Sequence, residues 1–132
     1  MRIGIVVSRW YWDEITGPMA ALAEETLRKE GLAAVTVEVP GSFDIPLAVK
    51  RLLAQDDIKG VIALGAIVQG DTAHDEVIAH AVAGSLQGLM LEFGKPVLLG
   101  ITGPRMTYAQ AKDRVPIAAE YARACVRLVR GG

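Results

Sequence analysis

Gly60-Val61-Ile62-Ala63-Leu64-Gly65-Ala66-Ile67-Val68 is the longest apolar run in the chain, and it stops at Gln69-Gly70-Asp71 before continuing as Thr72-Ala73-His74-Asp75. An uncharged, short apolar run of this kind predicts a strand over Val61–Ile67 that is buried on both faces, as in a parallel sheet. The helical pattern that follows predicts a helix from Thr72 to Phe93, ended by Gly94 and Pro96. Strand, short polar loop and helix together form one unit of an α/β fold.

The same unit recurs on either side of this stretch. Ile3–Val7, Val35–Val39 and Val97–Ile101 read as three further strands, the first and last apolar almost throughout. Ile15, Met19, Leu22, Thr26 and Leu27 fall at helical spacing, with Gly31 as a stop. Leu47–Leu53 predicts a short helix with Pro46 in its first turn, and Ile117, Tyr121, Cys125, Leu128 and Val129 mark the inner stripe of a last helix. Strands alternating with helices predict a parallel sheet with right-handed crossovers. The expected architecture is an α/β, flavodoxin-like three-layer sandwich with a four-stranded parallel sheet in strand order 2-1-3-4. It is expected to be one domain over residues 1–132. Ligands of such sheets bind beyond the carboxyl ends of the strands. Four loops therefore hold the candidate residues: Ser8–Glu14, Pro40–Asp44, Val68–His74 and Thr102–Thr107.

Composition narrows the function classes. The 132 residues are 52% apolar and 22% charged, with a net charge of −1. That balance argues against nucleic-acid binding, which usually needs a basic excess. No apolar run reaches the roughly 18 residues that span a bilayer, so no membrane association is expected. The first strand lacks the length and cleavage site of a signal peptide. Cys125 is the single cysteine, which excludes an internal disulfide and favours a cytoplasmic setting. A small domain this apolar is a candidate for self-association.

The residue types in the loops carry both a chemical and a plain structural reading. Trp10, Tyr11 and Trp12 are three of the chain's seven aromatic residues, and suit stacking on a planar heterocycle or packing under the loop. In the second loop Gly41 permits a close turn, Ser42 is placed to cap the next helix, and Asp44 offers acceptors to a polyol or simply favours a helix start. In the third, Thr72 and Asp75 have the spacing of a capping box, and Gly70 leaves the helix N-terminus open to an anion. His74 lies in that first turn, where an imidazole can exchange protons with a ligand. His80 falls mid-helix, six residues on, and the two histidines do not share a helix face, so no metal is expected. Arg114, beyond the fourth loop, suits bidentate phosphate binding or a solvated helix surface.

Taken together, the segments resemble the lumazine synthases along nearly the whole chain. Val-Pro-Gly-Ser-Phe-Asp-Ile-Pro-Leu-Ala at 39–48 is similar to that family's ribityl-binding loop. Leu-Gly-Ala-Ile-Val-Gln-Gly-Asp-Thr-Ala-His-Asp at 64–75 is similar to its pyrimidine- and phosphate-binding loop with the catalytic histidine. Gly-Ile-Thr-Gly-Pro-Arg-Met-Thr at 100–107, followed by Gln110, Ala111 and Arg114, resembles archaeal-type members. The resemblance implies condensation of a ribitylaminopyrimidine with dihydroxybutanone phosphate, without a cofactor. It implies that the pyrimidine stacks on Trp10 and meets backbone groups of Ala66, Ile67 and Val68. The ribityl chain would lie along Gly41, Ser42, Phe43 and Asp44. Phosphate would sit at Asp71 and Thr72, near Arg114 of a neighbouring chain, and His74 would shuttle protons. Small-molecule substrates and self-association into pentamers, free or gathered into a shell of roughly 60 subunits, are the implied partners.

Some positions depart from the family pattern. The first loop is one residue longer, so Tyr11 competes with Trp10 as the stacking residue. Asp71 puts a negative charge beside the phosphate, and a second basic residue expected beyond Arg114 is replaced by Pro116-Ile117-Ala118-Ala119. Leu99 stands where many relatives place an aromatic that closes the site from the next subunit. The chain starts at its first strand, without the N-terminal arm of many shell-forming relatives, which weighs against a shell. Three rivals remain: an archaeal-type riboflavin synthase, a non-catalytic flavodoxin-like flavin binder, and a cage protein.

Overall fold

The computed structural model describes residues 1–131. Four parallel strands, β1 (Arg2–Ser8), β2 (Ala33–Val39), β3 (Ile58–Ala66) and β4 (Val97–Thr102), form one sheet in the order β2-β1-β3-β4. That is the expected α/β sandwich and strand order. The helices are α1 (Gly17–Lys29), α2 (Ile45–Leu53), α3 (His74–Phe93), α4 (Tyr108–Asp113) and α5 (Ile117–Val129).

The pleat divides each apolar strand between two cores. Ile3, Ile5, Val7, Ile62 and Leu64 face α1 and α5, where they meet Met19, Ala23, Leu27, Ala118, Ala122 and Cys125. Val6, Val61 and Ala63 face the other way, against Val49, Leu52, Val82 and Leu86 of α2 and α3. Burial of each of the larger side chains contributes about 1.5–3 kcal/mol. β1 and β3 are central and nearly all buried, whereas β2 is an edge strand with exposed Ala33, Ala34 and Glu38. Burial of Cys125 pushes its thiol up to about 12, so this sulfur is a packing atom in the α5 face rather than a nucleophile.

Element boundaries differ from the sequence expectation for local reasons. β3 begins three residues earlier, at Ile58, and ends at Ala66, one before Ile67. The first helical stripe is split, because Ile15 lies in a π-turn over Trp12–Thr16 that precedes α1. α3 starts at His74 rather than Thr72. Between Asp113 and Ile117 the helical path breaks, and Pro116, which has no N–H to donate, stands as the N-cap of α5.

Candidate active site

The loops at the carboxyl ends of the strands are tied down by local hydrogen bonds. After β1, the Trp10 N–H donates to the buried Ser8 Oγ at 3.1 Å, and the Thr16 hydroxyl donates to the Trp10 carbonyl at 3.4 Å. The Tyr11 carbonyl accepts from the N–H groups of Ile15 and Thr16, both at 3.1 Å. Tyr11 itself takes the left-handed conformation, with φ 62° and ψ 38°. After β2, the loop closes reciprocally: the Gly41 N–H donates to Asp44 Oδ2 at 3.0 Å, and the Asp44 N–H donates to the Gly41 carbonyl at 3.1 Å. Asp44 thus holds its own loop. Ser42 does not cap α2; its side chain is buried, with no hydrogen-bonding partner for Oγ among the described residues. A Cβ on Gly65 would approach that Oγ to 2.6 Å, so the glycine is what lets β3 pass so close.

The third and fourth loops are joined along their length. The Ile67 N–H donates to the Thr102 carbonyl and the Gln69 N–H to the Met106 carbonyl, each at 2.8 Å. At the start of α3 the His74 N–H donates to Thr72 Oγ1 at 3.3 Å. The capping box does not form, because Asp75 has a different partner. Its Oδ2 accepts from the Arg105 N–H at 2.9 Å, and the Arg105 guanidinium pairs with Glu76 at 2.5 Å. Asp75 is only 7% exposed, and this backbone N–H offsets part of the cost of burying its carboxylate.

The first three loops and the start of α3 line a cleft of about 460 Å³, and the fourth loop supports it only through its bonds to the third loop and to Asp75. Trp10 and Tyr11 form one wall and Gly41, Ser42 and Phe43 another. Ala66, Ile67 and Val68 make the floor, with Gly70, Thr72, His74, Asp75 and Ile78 along the start of α3. The size lies within the range of small-molecule sites, and the lining is apolar and aromatic with a few polar groups. Of its Ser, Thr, His and Asp side chains, Thr72 and His74 are exposed, whereas Ser42 and Asp75 are buried. Among the described residues no three His, Cys, Asp or Glu side chains gather as a metal site, and no helix is long and apolar enough to cross a membrane.

Residues 1–131 match the family model described as 6,7-dimethyl-8-ribityllumazine synthase. The chain belongs to this family. Curated relatives that carry the same name include one from Methanopyrus kandleri, 47% identical over 131 residues, covering 98% of this chain and 92% of the relative. One from Staphylothermus marinus is 47% identical over 129 residues, covering 97% and 83%. One from Methanocaldococcus jannaschii is 41% identical over 133 residues, covering 98% and 92%.

Within this family member, most of the residues singled out from the sequence meet in the one cleft: Trp10, Tyr11, Gly41, Ser42, Phe43, Ala66, Ile67, Val68, Thr72 and His74. Four do not line it. Asp44 is turned to its own loop, and Asp71 is exposed beside the cleft. Arg114 is exposed at the end of α4, and Leu99 lies in a separate hollow with His80. Ile78 lines the cleft without having been singled out. It lies one turn beyond His74 on the same helix, a spacing that was available as a signal. The role of Asp75 as anchor of the fourth loop was not readable, because its partner is 30 residues away.

Proposed function

We propose that the protein forms 6,7-dimethyl-8-ribityllumazine from 5-amino-6-(D-ribitylamino)uracil and 3,4-dihydroxy-2-butanone 4-phosphate, a step of riboflavin biosynthesis. The observation that carries this reading is the convergence of the aromatic pair, the Gly41–Phe43 loop and His74 on a single cleft. The pyrimidine lies between the Trp10–Tyr11 wall and the backbone of Ala66–Val68. The ribityl chain runs along Gly41–Asp44, of which Gly41, Ser42 and Phe43 line the cleft. The phosphate approaches Asp71 and Thr72 at the start of α3, where helix N–H groups attract anions.

In the reaction the pyrimidine's primary amine condenses with the ketone to an imine and releases water. Phosphate is eliminated, and the ribitylamino nitrogen closes the ring with loss of a second water. His74 accepts and returns the protons of these steps. Holding both substrates in one cleft provides much of the acceleration. No cofactor takes part. Incubation of the purified protein with the two substrates should release phosphate together with the fluorescent lumazine. Conversion of lumazine alone to riboflavin, or tight flavin binding without turnover, would replace this reading with one of its rivals.

The ring-binding wall has its own test. Trp10→Ala and Tyr11→Ala should weaken binding of the lumazine product unequally, with the true stacking residue costing roughly 1–3 kcal/mol. Fluorescence titration measures both, and two negligible losses would return the loop to a packing role.

We also place each cleft at a contact between chains of a cyclic pentamer, in the cytoplasm. Support comes from α3, which has no Asp, Glu, Lys or Arg between Val77 and Leu91. Only Asp75, Val82 and Leu86 of its twenty residues are buried, while Val77 and Leu91 are 63% and 71% exposed. An uncharged helix surface of this extent is suited to cover by another copy. The pentamer supplies Arg114 and Leu99 to a neighbouring cleft, and higher assembly into a shell remains a separate step.

A further inference from the structure

On the outer side of the aromatic wall, away from the cleft, Tyr11 borders a second recess with Arg9, Trp12, Glu14 and Tyr108. There its ring meets that of Tyr108 edge-on, with centroids 5.5 Å apart and an angle of 62°. The Tyr108 hydroxyl donates to Glu14 Oε1 at 2.6 Å, and Lys112 Nζ donates to Glu14 Oε2 at 2.7 Å. Both carboxylate oxygens of the first loop are thus held by two side chains from one face of α4, four residues apart. α4 is itself fixed at its start. The Gln110 N–H donates to Thr107 Oγ1, and the Thr107 N–H donates to Gln110 Oε1.

Tyr11 needs such support. A non-glycine residue in the left-handed region persists only where its surroundings hold it. Its carbonyl is held by the π-turn, and its ring packs in part on the α1 and α5 core and meets the Trp10 ring edge-on, with centroids 6.4 Å apart. Tyr108 meets the same ring from the side of the outer recess. The hydrogen bonds from Lys112 and Tyr108 keep the Glu14 carboxyl below the usual carboxylate range, so the tether stays charged at neutral pH. Glu14 and Lys112 are half exposed, and exposed pairs of this kind add little to global stability. The consequence therefore falls on where Tyr11 points.

We infer that Tyr108, tethered through Glu14 and Lys112, is a positioning residue that sets the orientation of the ring-binding wall without touching the ligand. The inference rests on the proposed use of that wall to bind the pyrimidine. It makes α4, the helix that ends at Arg114, the element that sets the wall's angle.

The test compares Tyr108→Ala, Tyr108→Phe and Glu14→Gln with the unaltered protein. In Tyr108→Ala the KM for the ribitylaminopyrimidine should rise about 10-fold, and the Kd of the lumazine product should rise in parallel. The KM for dihydroxybutanone phosphate and the Tm should hardly change. Tyr108→Phe keeps the ring contact and should lose about 3-fold, with Glu14→Gln close to it. An unchanged pyrimidine KM and product Kd in Tyr108→Ala would overturn the inference. So would equal rises in both KM values with a lowered Tm, which would make the residue merely structural. The ring resonances of Tyr11, observed with labelled tyrosine, give a readout independent of turnover. They should shift and broaden in Tyr108→Ala, and unchanged resonances would also overturn the tether. If the unaltered protein forms no lumazine, the proposed function fails while those resonances still decide the tether.

Discussion

Replacing His74 with alanine is expected to lower kcat by about 100-fold, the low end of what general acid–base catalysis supplies. The loss is held to that level because the cleft still binds and aligns both substrates. His74 is the one histidine that lines the cleft; His80 belongs to the separate hollow with Leu99. Its side chain is exposed, and the start of α3 is held by Thr72 and by the link from Asp75 to Arg105. The variant should therefore fold normally, and its KM values should change far less than its kcat. A folded His74→Ala protein with undiminished kcat would remove the histidine from the proton-transfer steps.

Mixing two poorly active variants should restore a large share of activity. His74→Ala and Arg114→Ala proteins, unfolded together in equal amounts and refolded, should assemble at random into closed rings. About a quarter of the contacts then pair an intact His74 on one chain with an intact Arg114 on the next. With each parent near a hundredth of full activity, the mixture should exceed their average by roughly 25-fold. The position of Arg114 motivates the test: it is exposed at the end of α4 and does not line the cleft of its own chain. Mixed rings that show only the parental average would mean that the two residues do not meet across an interface. A fully active Arg114→Ala parent would remove the arginine from the reaction altogether.

The fold was legible wherever one local pattern dominated. The apolar run through Val61–Ala66 had to be a doubly buried strand, and its polar stop marked the loop that leads to His74 at the start of α3. Alternation of strands and helices then led to the sheet order that is observed. Local rules failed where a distant partner outbid them. Thr72 and Asp75 have capping-box spacing, yet Asp75 turns to Arg105 and α3 begins two residues late. Ser42 has the side chain of a helix cap, but Gly65 admits it into the interior instead. Glu14 and Tyr108 are 94 residues apart, and no periodicity in either segment signals that they meet. The capping box of Thr107 and Gln110, by contrast, is written in four consecutive residues and was open to reading.

The place of β1 between β2 and β3 also governs how the chain comes into being. Synthesis delivers β1 first, but its two neighbours begin only at Ala33 and Ile58. Every strand pairing is parallel and non-local, the kind of contact that forms slowly. The face carrying Ile3, Ile5, Ile62 and Leu64 also waits for α5, which begins only at Ile117. A nascent chain of this topology carries its most apolar strands uncovered through most of translation. The lining of the cleft runs from Trp10 to Ile78, so all of its residues are present before β4 is made.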